Sequence, residues 1–122
     1  MKYLYNKLVR DKIPNEINCT KGRKAVYRIM DNDEYLKELN RKLLEEAHEF
    51  IEENDIEELA DVMEVIETIT KLKNIKWEEL RKIQNEKKNK KGSFNEKIYL
   101  EYVEEEKRNL KEEKELNKEL RK

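Results

Sequence analysis

The chain has 122 residues, of which 47% are charged and 36% belong to the apolar set AVILMFWYC. An average globular protein is about one-quarter charged, so a single copy of this chain can bury only a thin core. The net charge of only −1, with apolar residues recurring at helical spacing, argues against wholesale disorder, and two Gly and one Pro exclude collagen-like and loop-dominated folds.

Residues 1–30 are the least periodic part and predict an irregular or short-helical arm, with turns at Pro14 and Gly22. The run Asp31-Asn-Asp-Glu34 predicts a helix start, with Asp31 as N-cap and Glu34 at the capping-box position. That helix runs to about Asn54; Asp55 caps a second, which Asn74 breaks. A third runs from about 76 to 90, with Trp77, Leu80 and Ile83 on its inner face, until Gly92 ends it. Asn95 opens a segment in which Ile98, Tyr99, Tyr102 and Val103 share a stripe. Beyond Glu104 the charged tail offers only Leu110, Leu116 and Leu120 for contacts, and it predicts an exposed helix or a frayed end. The fold class is all-α, an antiparallel helix bundle with an irregular N-terminal arm and a charged C-terminal helical tail.

The lone cysteine, Cys19, has no internal partner for a disulfide, which suits a reducing cytosol. No apolar run approaches the ~20 residues of a membrane span, and the first residues lack the apolar stretch of a signal peptide. These features predict a soluble, cytoplasmic protein without a membrane role. The thin core predicts a homo-oligomer, a dimer or tetramer.

The near-zero charge hides a partition. Residues 1–30 carry +6, residues 31–70 carry −12, residues 71–97 carry +6 and residues 98–122 carry −1. A nucleic-acid-binding domain usually shows a basic stripe without so dense an acidic block beside it, and no nucleic-acid partner is expected. Polyphosphate chemistry uses both signs, carboxylates for cations and Lys/Arg for phosphate oxygens. Lysine- and glutamate-rich helices are also the ordinary solvated faces of a helical protein.

The informative stretch is Glu45-Glu46-Ala-His-Glu49 followed by Glu58-Leu-Ala-Asp61. On a helical wheel, Leu36, Leu39, Leu43, Ala47 and Phe50 fill an arc of roughly 80°, with Glu46 roughly 20° outside it and Glu49 roughly 60° further round. In the next helix, Glu58 falls between Ile69 and Val65 inside the apolar arc, and Asp61 falls just past Leu72. A short connection makes the two helices antiparallel, so four carboxylates converge at one level. Either some are protonated or a cation sits among them. An all-oxygen set suits Mg²⁺, with Mn²⁺ as the alternative, over Zn²⁺. With 24 glutamates in the chain, one E-E-x-x-E arises easily by chance. Glu58 also stands where it would answer the Asp55 cap, and His48 points away from Glu46 as a surface residue.

These residues resemble the MazG-type all-α nucleoside triphosphate pyrophosphohydrolases, whose signature is E-E-x-x-E followed by E-x-x-D. The resemblance is strongest to a subgroup described as phosphoribosyl-ATP pyrophosphohydrolase-like. It rests on Tyr5-Asn-Lys-Leu-Val-Arg-Asp-Lys-Ile-Pro14, the Lys42 to Glu46 run, Glu58-Leu-Ala-Asp-Val62, and Lys87 followed by Lys91-Gly-Ser-Phe94. It covers about residues 3–103, giving a domain at 1–104 and a tail at 105–122. In that element Lys91 replaces the family's Arg and Ser93 its second Gly; lysine keeps the charge and loses the bidentate fork.

The resemblance implies cleavage of a (deoxy)nucleoside triphosphate between the α- and β-phosphates, giving the monophosphate and pyrophosphate. Glu46, Glu49, Glu58 and Asp61 would then be Mg²⁺ ligands, and Glu45 a further ligand or the group orienting the attacking water. Arg10, Lys12, Lys87 and Lys91 are candidates for holding phosphates, and Lys42 either holds a phosphate or pairs with Glu46. Family members are usually dimers or larger, which agrees with the thin core. The alternatives are a phosphoribosyl-ATP pyrophosphohydrolase and a non-catalytic helical interaction module.

Overall fold

Asp31 starts the longest helix of the chain because its carboxylate accepts the Glu34 backbone N–H at 2.9 Å. In this computed structural model, which describes residues 1–106 and 109–121, five helices form. They are α1 (Ile13–Asn18), α2 (Asn32–Glu53), α3 (Ile56–Leu72), α4 (Trp77–Lys91) and α5 (Leu110–Arg121). The described residues contain no strand, so the all-α class holds.

Local chemistry sets most of the boundaries. Pro14 sits in the first turn of α1, where a missing N–H costs nothing. Asn54, at φ 53°, closes α2 in the left-handed region, where a short polar side chain is tolerated. Asp55 then caps α3 by accepting the Glu57 N–H at 3.2 Å. Asn74 (φ 58°) follows α3 and Gly92 (φ 86°) follows α4, the latter in a conformation that suits glycine. The Asp31 capping box is only half made. Glu34 does not reach back to the Asp31 N–H; its carboxylate pairs with Arg28 at 2.5 and 2.9 Å.

The chain forms two compact units, Met1–Lys90 and Lys91–Lys122. In the first unit α2 and α3 pack on each other as a hairpin with a two-residue link. The core there is as thin as the composition implies. Leu39 and Val65 are the buried apolar side chains, accompanied by buried Glu46 and Thr70. In the second unit Lys91 pairs with Glu119 at 2.5 Å. Helix α5 supplies the helical part of the charged tail; its Lys107, Arg108 and Lys122 lie outside the described residues.

Two expectations need correction. The Trp77, Leu80 and Ile83 stripe exists, but α4 does not pack on α1, α2 or α3. Trp77 and Leu80 are half-buried and Ile83 is exposed. The Ile98, Tyr99, Tyr102 and Val103 stripe does not form a helix, and all four side chains are exposed. Short helices are marginal without a surface to bury their apolar face; aromatic and β-branched residues add a propensity cost.

Leu39 is only 2% exposed, so Leu39→Ala should lower unfolding free energy by roughly 2–5 kcal/mol, as other buried leucine truncations do. Urea denaturation followed by far-UV circular dichroism measures the loss.

Candidate functional site

The α2–α3 hairpin decides which carboxylates meet. Glu46 lies eight residues before the Asn54 cap and Asp61 six after the Asp55 cap, so reversing direction brings them to a similar level. One carboxylate oxygen from each of Glu46, Glu58 and Asp61 lies within 4.8 Å of the other two. Glu49 is half-buried, and its negative charge bears on the Glu58 carboxyl.

Three cations compensate part of this charge. Lys42, one turn before Glu46, reaches its Oε1 at 3.2 Å and Glu45 Oε1 at 3.6 Å. Arg10, from the arm, donates to Asp61 Oδ1 at 2.6 Å. Lys7, also from the arm, lies 3.6 Å from Glu45 Oε1. Five carboxylates (Glu45, Glu46, Glu49, Glu58 and Asp61) thus face three cations, a formal deficit of two charges. Glu49 and Glu58 carry that deficit, since no Lys or Arg pairs with either among the described residues.

Two oxygens record the imbalance directly. Glu46 Oε2 and Glu58 Oε2 are buried without a hydrogen-bond partner. Glu46 is 7% exposed overall, so its unpaired oxygen has no ready access to solvent, and a buried acceptor in that state is costly. The Glu58 carboxyl is pushed up to about 7, first by burial and then by the negative charges of Glu49, Asp61 and Glu46. A proton on Glu58 relieves the crowding near neutral pH, and a divalent cation would relieve it more completely. The donor set is all oxygen, which fits Mg²⁺ or Mn²⁺.

The other expected residues divide plainly. Glu45 lies at the edge of the cluster, held by the two lysines. Lys12 is exposed at the N-cap of α1, outside the ion pairs that surround the cluster. Lys87 is exposed on α4, which does not pack against α2 or α3. Lys91 belongs to the second unit, where Glu119 takes it. His48 is exposed and pairs with Glu52 at 3.6 Å, a surface position as its wheel angle implies. Glu58 does not answer the Asp55 cap; its carboxyl turns into the cluster. Lys7 was not singled out by sequence reasoning, although it stands three residues before Arg10 in the same basic arm.

No protein-family model matches the chain, and no curated protein or solved structure shows significant similarity to it.

The raised Glu58 carboxyl has a definite linkage sign. Between about 4.5 and about 7 the folded chain holds a proton that the unfolded chain has released, so this group's contribution to stability falls as pH rises through that window. The melting temperature should therefore decline from pH 5 toward pH 7 and level off above it. Glu58→Gln should flatten the decline and melt higher than wild type at pH 8, measured by calorimetry without divalent ions.

Proposed function

We propose that the chain is a Mg²⁺-dependent nucleotide pyrophosphohydrolase that cleaves a (deoxy)nucleoside triphosphate between its α- and β-phosphates. The observation that carries this reading is the buried, unpartnered oxygen on each of Glu46 and Glu58, within a carboxylate group that includes Asp61. A purely structural charge cluster would tend to satisfy its buried oxygens with protein donors. Here the deficit is two charges even with both arm cations in place, so the group calls for at least one divalent ion. The combined E-E-x-x-E and E-x-x-D pattern of the MazG-type family supports the same reading, as does the arm sequence around Arg10.

Glu46, Glu58 and Asp61, with Glu49 beside them, would hold the ion. When bound, such an ion neutralises phosphate oxygens and lowers the pKa of a water molecule. Lys42 fixes the Glu46 carboxylate through the 3.2 Å pair and keeps one oxygen turned away from solvent. Glu45, more exposed and balanced between Lys7 and Lys42, is placed to orient the attacking water and accept its proton. Arg10 brings a guanidinium fork that matches phosphate geometry. In-line attack of water on phosphorus then gives the monophosphate and pyrophosphate. We further propose a homo-oligomer, because the single chain leaves Leu44, Ile51, Ile56 and Met63 of the hairpin exposed. A cytoplasmic location and the absence of a nucleic-acid partner belong to the same proposal; no helix among the described residues is long and apolar enough to cross a membrane.

Purified protein with Mg²⁺ should convert a panel of nucleoside triphosphates, with phosphoribosyl-ATP included, to monophosphate and pyrophosphate. Glu49→Gln should abolish turnover while leaving the circular dichroism spectrum unchanged. Product chromatography decides the bond cleaved: release of inorganic phosphate alone, or no turnover of any member, overturns the proposal. Saturating Mg²⁺, at ~100 times its dissociation constant, should stabilise wild type by about 2.7 kcal/mol. Asp61→Asn should lose most of that gain; equal stabilisation of both proteins would instead place the ion elsewhere.

A further inference from the structure

We propose that residues 5–12 form an electrostatic strap: Lys7 and Arg10 hold the hairpin's carboxylates while no ion is bound, then turn to the phosphates of an incoming nucleotide once an ion replaces them. The strap rests on the cation-site reading above and adds to it a coupled exchange of partners.

Its basis is where the two arm cations attach. Lys7 reaches Glu45 on α2 and Arg10 reaches Asp61 on α3. Three residues apart on one segment, they tie both helices of the hairpin beside the same carboxylate group. The backbone of residues 7–9 makes no hydrogen bond to α2 or α3 among the described residues. The segment is bounded by two bends. Asn6 adopts φ 47°, and the Ile13 N–H closes a turn on the Arg10 carbonyl at 3.0 Å before α1. Side chains anchor it far more than backbone does, so it can shift without breaking a helix.

The attachment points also conflict with an ion. Arg10 lies 2.6 Å from Asp61, one of the three acids whose oxygens lie within 4.8 Å of each other. A divalent ion among those oxygens would repel a guanidinium held against the same carboxylate. The Arg10 and Lys7 side chains are 60% and 47% exposed, leaving both free to swing outward. A bound polyphosphate supplies the negative charge they lose, and Arg10 fits it as a two-pronged donor. Lys42 differs: its side chain is only 19% exposed and its partner Glu46 is on its own helix, so it stays in place.

Mn²⁺ binding by titration calorimetry, with limited tryptic cleavage after Lys7 and Arg10, tests the strap on the full chain. Arg10→Gln should bind Mn²⁺ at least about threefold tighter than wild type, because a competing cation is gone. Lys7→Gln should move affinity the same way by less, since Glu45 lies outside the three-acid group. Lys2→Gln removes the same charge from an arm position outside both ion pairs and should change little. In wild type, Mn²⁺ alone should speed tryptic cleavage after Lys7 and Arg10, and Mn²⁺ with pyrophosphate should slow it again. If wild type binds Mn²⁺ but Arg10→Gln binds no tighter than Lys2→Gln, and arm cleavage is unmoved, the strap is wrong and the cation site stands. If neither wild type nor any variant binds Mn²⁺, the cation site falls and the strap falls with it.

Discussion

A carboxylate held between two helices, with one oxygen left without a donor, is the constraint to which the rest of the first unit answers. Burying an ionised group is unfavourable unless charge and hydrogen bonds replace the lost water. Glu46 receives half of that replacement from Lys42, one helical turn away. It receives none at Oε2. Two of the four buried residues among the described residues, Glu46 and Thr70, are polar, so the hairpin interior is only partly a hydrophobic contact. Leu39 and Val65 supply cohesion there, while Glu46, Glu58 and Asp61 introduce repulsion into the same interface. This is a local conflict between packing and charge in a hairpin whose caps and link are otherwise consistent with its fold.

The charge partition along the chain acquires a spatial meaning. The basic first thirty residues fold back on the acidic hairpin through three ion pairs, Lys7–Glu45, Arg10–Asp61 and Arg28–Glu34. Each is exposed and individually weak. Their common feature is direction: arm cations meet helix anions at positions far apart in sequence in two cases of the three. Apolar side chains share in this docking: Leu8, Ile13, Ile17 and Met30 are half-buried, while Tyr3, Leu4 and Tyr5 stay exposed.

How much of this could be read from the amino acids depended on whether the signal was local. Asp31, Asp55, Asn74 and Gly92 mark helix ends through their own side chains or backbone preferences, and the structure places the ends within a residue or two of them. The meeting of Glu46, Glu58 and Asp61 was also legible, since helical spacing and a short link fix it. Glu49 was legible as a neighbour of Glu58 but falls outside the three-acid group. What could not be read was anything set by distant partners. The Ile98 to Val103 stripe has a helical period, but period alone does not supply a surface to pack against. Lys7 and Lys12 look equivalent in sequence, and only the path of the arm separates the one beside Glu45 from the one exposed at the start of α1.

The link between α2 and α3 consists of Asn54 and Asp55 alone, with Asn54 in a left-handed turn. Surface loops ordinarily tolerate insertion, but this one has no slack. Where an added residue was absorbed into α3, it would turn that helix by about 100° and slide it by about 1.5 Å against α2, carrying Glu58 and Asp61 off the face that meets Glu46. The shortest connection in the hairpin is in effect its ruler, and drift in length there would erase the acidic meeting point while sparing both helices.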